Sequence, residues 1–196
     1  MTAIELEVPF GDNELRFTIP AEQLLKVVLP TEGEEHHGDE SAMVREALAR
    51  PVAKPPLREW IHPGQQIAIV VSDMTRPCPT DRLLPPVLEE LTLAGVADTD
   101  VTVVVALGLH RAQTEEELEK LVGSAVYNRV RVVNHDPENT VSLGVTSNGT
   151  PVELFRPLVE AEVRISLGNL EFHYFDLLVG HQVQQYHLNP AKIFLQ

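Results

Sequence analysis

Two uninterrupted apolar runs, QIAIVVSD at 66–73 and VTVVVALG at 101–108, constrain the fold most. Both are rich in β-branched residues and neither alternates with polar positions, which is the pattern of strands covered on both faces. Strands of that kind need helices above and below them. The intervening segment supplies one, because Leu83, Leu84, Val87, Leu88 and Leu91 recur at helical spacing over about 80–94. Thr80 or Asp81 is its expected cap, and Pro85-Pro86 is expected to kink or delay it. A second helix is predicted over 114–126, opened by Thr114 with Glu117 three residues on as a capping box. RVRVVNHD then reads as a third strand ending at Asp136, and EVRISLGN at 162–169 as a last one. Strand, helix, strand, helix, strand with short links predicts an α/β fold: a mostly parallel, Rossmann-like sheet with helices on both faces.

The flanks read differently. Residues 3–20 alternate apolar and polar side chains around Gly11-Asp12-Asn13, predicting an N-terminal β-hairpin. An acidic loop at 30–40 and a short helix at about 41–49, with Ser41 as a possible N-cap, lead to a connector interrupted by Pro51, Pro55 and Pro56. Residues 141–155 alternate around Asn148-Gly149, a strong hairpin signal. The division expected from the sequence is 1–58 for hairpin, acidic loop and connecting helix packed on the main body, 59–175 for the α/β domain, and 176–196 for an atypical tail.

Charge narrows the partners. The 196 residues carry 15 Lys and Arg against 29 Asp and Glu, a formal net charge of −14, which opposes a phosphate backbone over most of the surface. Nucleic acid is not an expected partner, and no apolar run approaches the roughly 20 residues of a membrane-spanning helix. The start of the chain lacks the basic and apolar regions of a signal peptide, so a cytoplasmic location is expected. A single cysteine, Cys78, excludes an internal disulfide.

In open α/β sheets ligands bind beyond the carboxyl ends of the strands. Ser72-Asp73-Met74-Thr75-Arg76-Pro77 follows the first buried strand, Gly108-Leu109-His110-Arg111 the second, Asn134-His135-Asp136 the third and Gly168-Asn169-Leu170-Glu171-Phe172-His173 the last. Each group has a bland reading: Asp73 and Thr75 can cap a helix, Arg76 can pair with a surface acid, and a lone His110 can be an ordinary loop histidine. Four successive strand ends with ionisable side chains favour one convergent site. Arginines fork onto carboxylates and phosphates, and histidine exchanges protons near neutrality, so the set suits acid/base work on an anion. His110 and His173 could flank a substrate carbon from opposite faces. No nucleophile elbow, Walker loop or dinucleotide fingerprint is present.

SDMTRPCP at 72–79, ALGLHRAQTEEEL at 106–118, NHD at 134–136, LGVTSNGTPV at 143–152 and LGNLEFHYF at 167–175 stand in the order and spacing of one family. From about residue 7 to 175 the chain resembles the N-terminal domain of the nickel-dependent lactate racemases. That resemblance implies racemisation or epimerisation of a small 2-hydroxy acid in a cleft closed by a second, C-terminal domain. It also implies a nickel-pincer nucleotide, attached through a lysine, that accepts the C2 hydride while a histidine takes the hydroxyl proton. By position, His110 and His173 match the two acid/base histidines. Asp73, Thr75 and Arg76 match the motif after the first strand, with Arg76 and Arg111 as candidates for holding substrate or cofactor.

The tail departs from the pattern. After His173 the family has a glycine-rich turn and, ten residues on, the cofactor lysine, whereas here the stretch reads YFDLLVGHQVQQYHLNPAKIFLQ with Val183 at the lysine position and Lys192 nine residues later. His181 and His187 do not fall where the resemblance puts the nickel ligand, so no metal ligand is assigned in this chain. The expectation is therefore an incomplete lactate racemase-like chain, inactive alone and without covalent cofactor. The alternative is a non-catalytic anion- or nucleotide-binding module that has lost the cofactor apparatus.

Overall fold

The structure, a computed structural model, describes residues 3–11, 13–27, 39–171 and 179–180. The chain divides into two compact units, Met1–His37 and Gly38–Gln196. In the first, β1 (Ala3–Phe10) and β2 (Asn13–Pro20) form the expected antiparallel hairpin, with Leu6 opposite Phe17 and Val8 opposite Leu15. Cross-strand partners share a face, so the alternation in the sequence becomes an apolar side and a charged side.

The second unit opens with α1 (Glu40–Ala49). Asp39, rather than Ser41, is its N-cap: the Asp39 carboxylate accepts from the Ser41 N–H at 3.0 Å. Next come β3 (Ile67–Ser72), α2 (Thr80–Leu93), β4 (Val101–Ala106), α3 (Glu115–Val122), α4 (Ser124–Tyr127) and β5 (Arg131–Asn134). The hairpin β6 (Thr140–Val145) with β7 (Pro151–Phe155), the short α5 (Arg156–Glu160) and β8 (Val163–Leu167) complete the body. Leu170–Glu171 and Val179–Gly180, β9 and β10, pair antiparallel.

Two local expectations are corrected. The helix foreseen over 114–126 is divided at Gly123, whose φ of +81° no helical residue adopts. Pro85 and Pro86 lie inside α2, which runs continuously through them and starts after Pro79 without a side-chain cap from Thr80 or Asp81. Each proline forfeits one helical hydrogen bond. Burial of Leu84, Pro86, Val87, Leu88 and Leu91 on the same helix offsets that loss.

The central sheet has the order β5-β4-β3-β8, all parallel. All six residues of β3 are buried, as continuous hydrophobicity demands of a strand covered on both faces. One face, carrying Ile67, Ile69, Val71, Val101, Val103, Val105 and Ile165, packs against α1, α2, α3 and α4. The other, carrying Ala68, Val70, Val104 and Ala106, is covered by Phe155, Leu158 and Ala161 from β7 and α5. The Arg164 guanidinium caps α5 by donating to the carbonyls of Leu158 and Val159. From β3 the chain steps to β4 and β5 on one side, then returns to β8 on the other. The topological switch point therefore lies between β3 and β8, the place where open α/β sheets bind ligands beyond their carboxyl ends.

Candidate functional site

Ser72 and Ala106 are register partners at the ends of β3 and β4, so the two loops that follow leave the sheet side by side. Leu167 pairs with Val71, which brings the start of the segment after β8 to the same edge. The parallel sheet thus places Asp73 and the His110 loop together, as the strand-end argument anticipates.

Asp73 is 3% exposed and its carboxylate is fully engaged. Oδ1 accepts from the Thr75 N–H at 2.8 Å and from the Thr75 hydroxyl at 2.5 Å, and Oδ2 lies 2.5 Å from His110 Nδ1. Burial alone pushes the carboxyl pKa up, but the hydrogen bonds from Thr75 and His110 outweigh it and hold the acid below its usual range. An ionised carboxylate only accepts, so the network assigns the proton of the neutral ring to Nδ1 and leaves Nε2 with a lone pair. The His110 side chain remains 45% exposed while its partner is buried. A buried carboxylate orienting a half-exposed imidazole is the arrangement of a general base.

The His110 loop is itself braced. Gly108 takes φ +57° at a turn closed by the His110 N–H on the Leu107 carbonyl at 2.9 Å. Arg111 forks onto Glu117, with nitrogen–oxygen distances of 2.6 and 2.7 Å, and also donates to the Ala112 carbonyl. That ion pair, with the Thr114 N–H, holds the Glu117 carboxyl down at about 2. Glu117 therefore completes the predicted capping box and also occupies the Arg111 fork. The capping role is legible in the sequence, and the arginine six residues ahead of Glu117 is the signal for the second role.

Arg76 contrasts with Arg111. It is half-buried, its Nε is buried without a hydrogen-bond partner, and among the described residues no acid pairs with it. In a chain with this excess of acids, a half-buried arginine with no acid partner among the described residues is unusual, and its guanidinium is a candidate to hold an anion.

The third strand end behaves otherwise. His135 packs edge-to-face on Phe155, with ring centroids 5.5 Å apart, and burial lowers its pKa. Asp136 closes a local turn by accepting from the Glu138 N–H. Asn134 holds the Gln113 peptide through both ends of its amide, a role the sequence did not disclose. His173 lies outside the described residues. Among the described residues no group of three or more His, Cys, Asp or Glu could hold a metal ion, and no helix is long and apolar enough to cross a membrane. An apolar groove of about 210 Å³ between α1, α2 and the end of β8, lined by Val44, Leu48, Trp60, Leu83 and Val87, contains none of the predicted site residues.

Comparison with known proteins places this geometry. The chain is 28% identical to a lactate racemase of Thermoanaerobacterium thermosaccharolyticum over 174 residues and 27% identical to one of Lactiplantibacillus plantarum over 176. These alignments cover 87% and 88% of this chain but 41% of each relative, so the chain spans less than half their length. The structure of the lactate racemase apoprotein from T. thermosaccharolyticum superposes with a TM-score of 0.73 at 27% identity, covering 92% of this chain and 42% of that one. A Thermotoga maritima protein shares the fold at a TM-score of 0.54 and 22% identity, over 69% of this chain and 35% of its own. The family model described as the lactate racemase N-terminal domain matches residues 10–180, and the chain belongs to that family.

Proposed function

We propose that this chain is the N-terminal part of a 2-hydroxy acid racemase or epimerase, in which His110 serves as general acid/base and Arg76 holds an anionic group. The observation that carries the reading is the Asp73–His110 pair at 2.5 Å beside an arginine with no acid partner among the described residues.

Racemisation of a 2-hydroxy acid by loss and return of the C2 hydrogen as hydride requires that the hydroxyl proton leave and return with it, so that the 2-keto acid forms and is reduced again. Held by Asp73 at Nδ1, the His110 ring offers Nε2 to that proton, and the nearby carboxylate stabilises the imidazolium that results. Thr75 keeps Asp73 ionised by donating twice to Oδ1. Arg76 neutralises a carboxylate or phosphate and orients it by its fixed fork. His173, outside the described residues, is proposed as the second histidine, acting on the opposite face.

The family's nickel-pincer nucleotide fits this chain in one part and not in another. The Arg76 guanidinium suits the phosphate of a nucleotide, because no acid pairs with it among the described residues. Val183 offers no amine for a covalent link at the position where the resemblance calls for lysine. When bound, such a group supplies an acceptor for the C2 hydride. The remainder of a relative-length protein is the proposed partner that completes the cleft, with a small 2-hydroxy acid as substrate. The rival reading, an anion- or nucleotide-binding module without catalysis, draws on the same Arg76 and on the divergent tail.

Titration of the chain with lactate and with nicotinic acid mononucleotide, followed through the His110 ring and Arg76 guanidinium NMR signals, tests the reading. Both signals should move with one ligand, and Arg76→Ala should weaken binding roughly 10- to 100-fold, the value of a lost charge-assisted hydrogen bond. Binding at full strength in Arg76→Ala would remove Arg76 from the site.

A further inference from the structure

The segment that carries His110 leaves the sheet at Leu107 and rejoins regular structure at α3. Its internal turn and the Arg111–Glu117 and Thr114–Glu117 contacts tie it to itself and forward to α3. Besides the His110–Asp73 bond, a pair of hydrogen bonds ties it back to the sheet. The Gln113 N–H donates to Asn134 Oδ1 at 3.1 Å, and the Gln113 carbonyl accepts from Asn134 Nδ2 at 2.9 Å.

Asn134 is the last residue of β5, paired in register with Val105, and the His135 N–H continues that ladder onto the Val105 carbonyl at 2.9 Å. Its backbone is therefore fixed by the sheet while its side chain grips the loop. An amide presents one acceptor and donors in a single plane, which matches the backbone N–H and C=O of one residue as a neighbouring strand would. The two bonds also fix which way the amide faces. Gln113 is only 7% exposed, so water is a poor substitute for Asn134 at that peptide. Only Arg111 and Ala112 separate Gln113 from His110, short enough that release of one end lets the other swing away from Asp73.

We propose that Asn134 is a positioning residue: by clamping the Gln113 peptide to β5 it keeps His110 Nδ1 on Asp73 Oδ2 and so leaves Nε2 as the proton-exchanging atom. The chemical meaning of that tautomer rests on the function proposed above, whereas the clamp itself does not.

The test reads the His110 tautomer from ring ¹⁵N chemical shifts in the full chain, which requires neither substrate nor cofactor. Wild-type protein should hold the Nδ1–H form almost exclusively and should protect the Gln113 amide from hydrogen exchange. Asn134→Ala should drop the ratio of Nδ1–H to Nε2–H forms at least several-fold, toward the Nε2–H preference of free histidine, and should speed Gln113 exchange by about tenfold or more. Asn134→Asp keeps the acceptor and loses the donor, so it should fall between the two. A role in stability alone would lower Tm and leave the tautomer as in wild type, and that result in folded Asn134→Ala overturns the proposal. If Asn134→Ala yields no folded protein, wild-type tautomer and wild-type Gln113 exchange in Asn134→Asp overturn it instead. The expected tautomer and exchange changes in Asn134→Ala, alongside wild-type His110 and Arg76 signals that do not move on titration with lactate or nicotinic acid mononucleotide, would refute the proposed function and leave the clamp standing.

Discussion

Replacing Asp73 by asparagine changes one atom and should invert the histidine beside it. In the wild-type protein the buried carboxylate accepts three hydrogen bonds, two from Thr75 and one from His110. The amide can keep Oδ1 for Thr75, but its NH₂ then faces His110 Nδ1, which must give up its proton and become the acceptor. Nε2 is left protonated, the wrong state for a base. Hydrogen bonds to a charged group are worth about 1.5–3 kcal/mol against about 0.5–1.5 for neutral pairs, so each of the three loses roughly 1 kcal/mol. Relief from burying a charge returns part of that, and a net loss of about 1–3 kcal/mol is expected at pH 7. The pH dependence has a definite sign. Because the folded-state pKa of Asp73 is depressed, its contribution is fully present above the unfolded value near 4 and is lost as pH falls through the lower folded value. The wild-type and Asp73→Asn proteins should therefore differ most at neutral pH and converge at strongly acid pH. Urea unfolding followed by Trp60, the single tryptophan, which packs against the core of the second unit, measures the difference. Ring ¹⁵N shifts measure the tautomer. An Nδ1–H form unchanged in Asp73→Asn, or a stability difference that stays constant down to low pH, refutes the reasoning.

Thr114→Ala removes half of the capping box on α3 and should cost about 0.5–2 kcal/mol by denaturant unfolding, with the helix content of the remaining elements unchanged by circular dichroism. The Glu117 carboxyl, held down at about 2 first by Arg111, should titrate well below the ordinary glutamate value. Any stability it lends is present above about pH 4.5 and lost as pH falls toward 2, and Arg111→Ala should return its NMR titration midpoint toward the ordinary value. Intact-mass spectrometry of the purified chain should show no nucleotide increment, since Val183 stands at the lysine position.

The α/β core was readable because Ile67–Ser72 and Val101–Ala106 are apolar without interruption, and only a doubly covered strand tolerates that. Asp73 and His110 were readable from topology, since parallel strands send successive carboxyl ends to one edge. What the sequence concealed was pairing. Nothing in Asn134-His135-Asp136 says that the first residue grips a peptide 21 positions earlier while the second turns to Phe155. Arg76 and Arg111 look equivalent as letters. In the fold Glu117 takes the fork of Arg111, while Arg76 has no acid partner among the described residues. The continuation of α2 through two prolines was likewise hidden, because tertiary burial decided against local preference.

The central claim is that His110, set by Asp73, moves the hydroxyl proton of a 2-hydroxy acid. Its most direct test is to graft residues 10–175 of this chain into the T. thermosaccharolyticum lactate racemase in place of the matching segment, so that the host supplies the glycine-rich turn, position 183 and everything beyond. Lactate racemisation by that chimera should survive and should fall on the order of 10²- to 10⁴-fold with His110→Ala, the usual value of a general acid/base. A chimera that racemises lactate equally fast with alanine at position 110, or one that folds and loads its cofactor yet never racemises, contradicts the account.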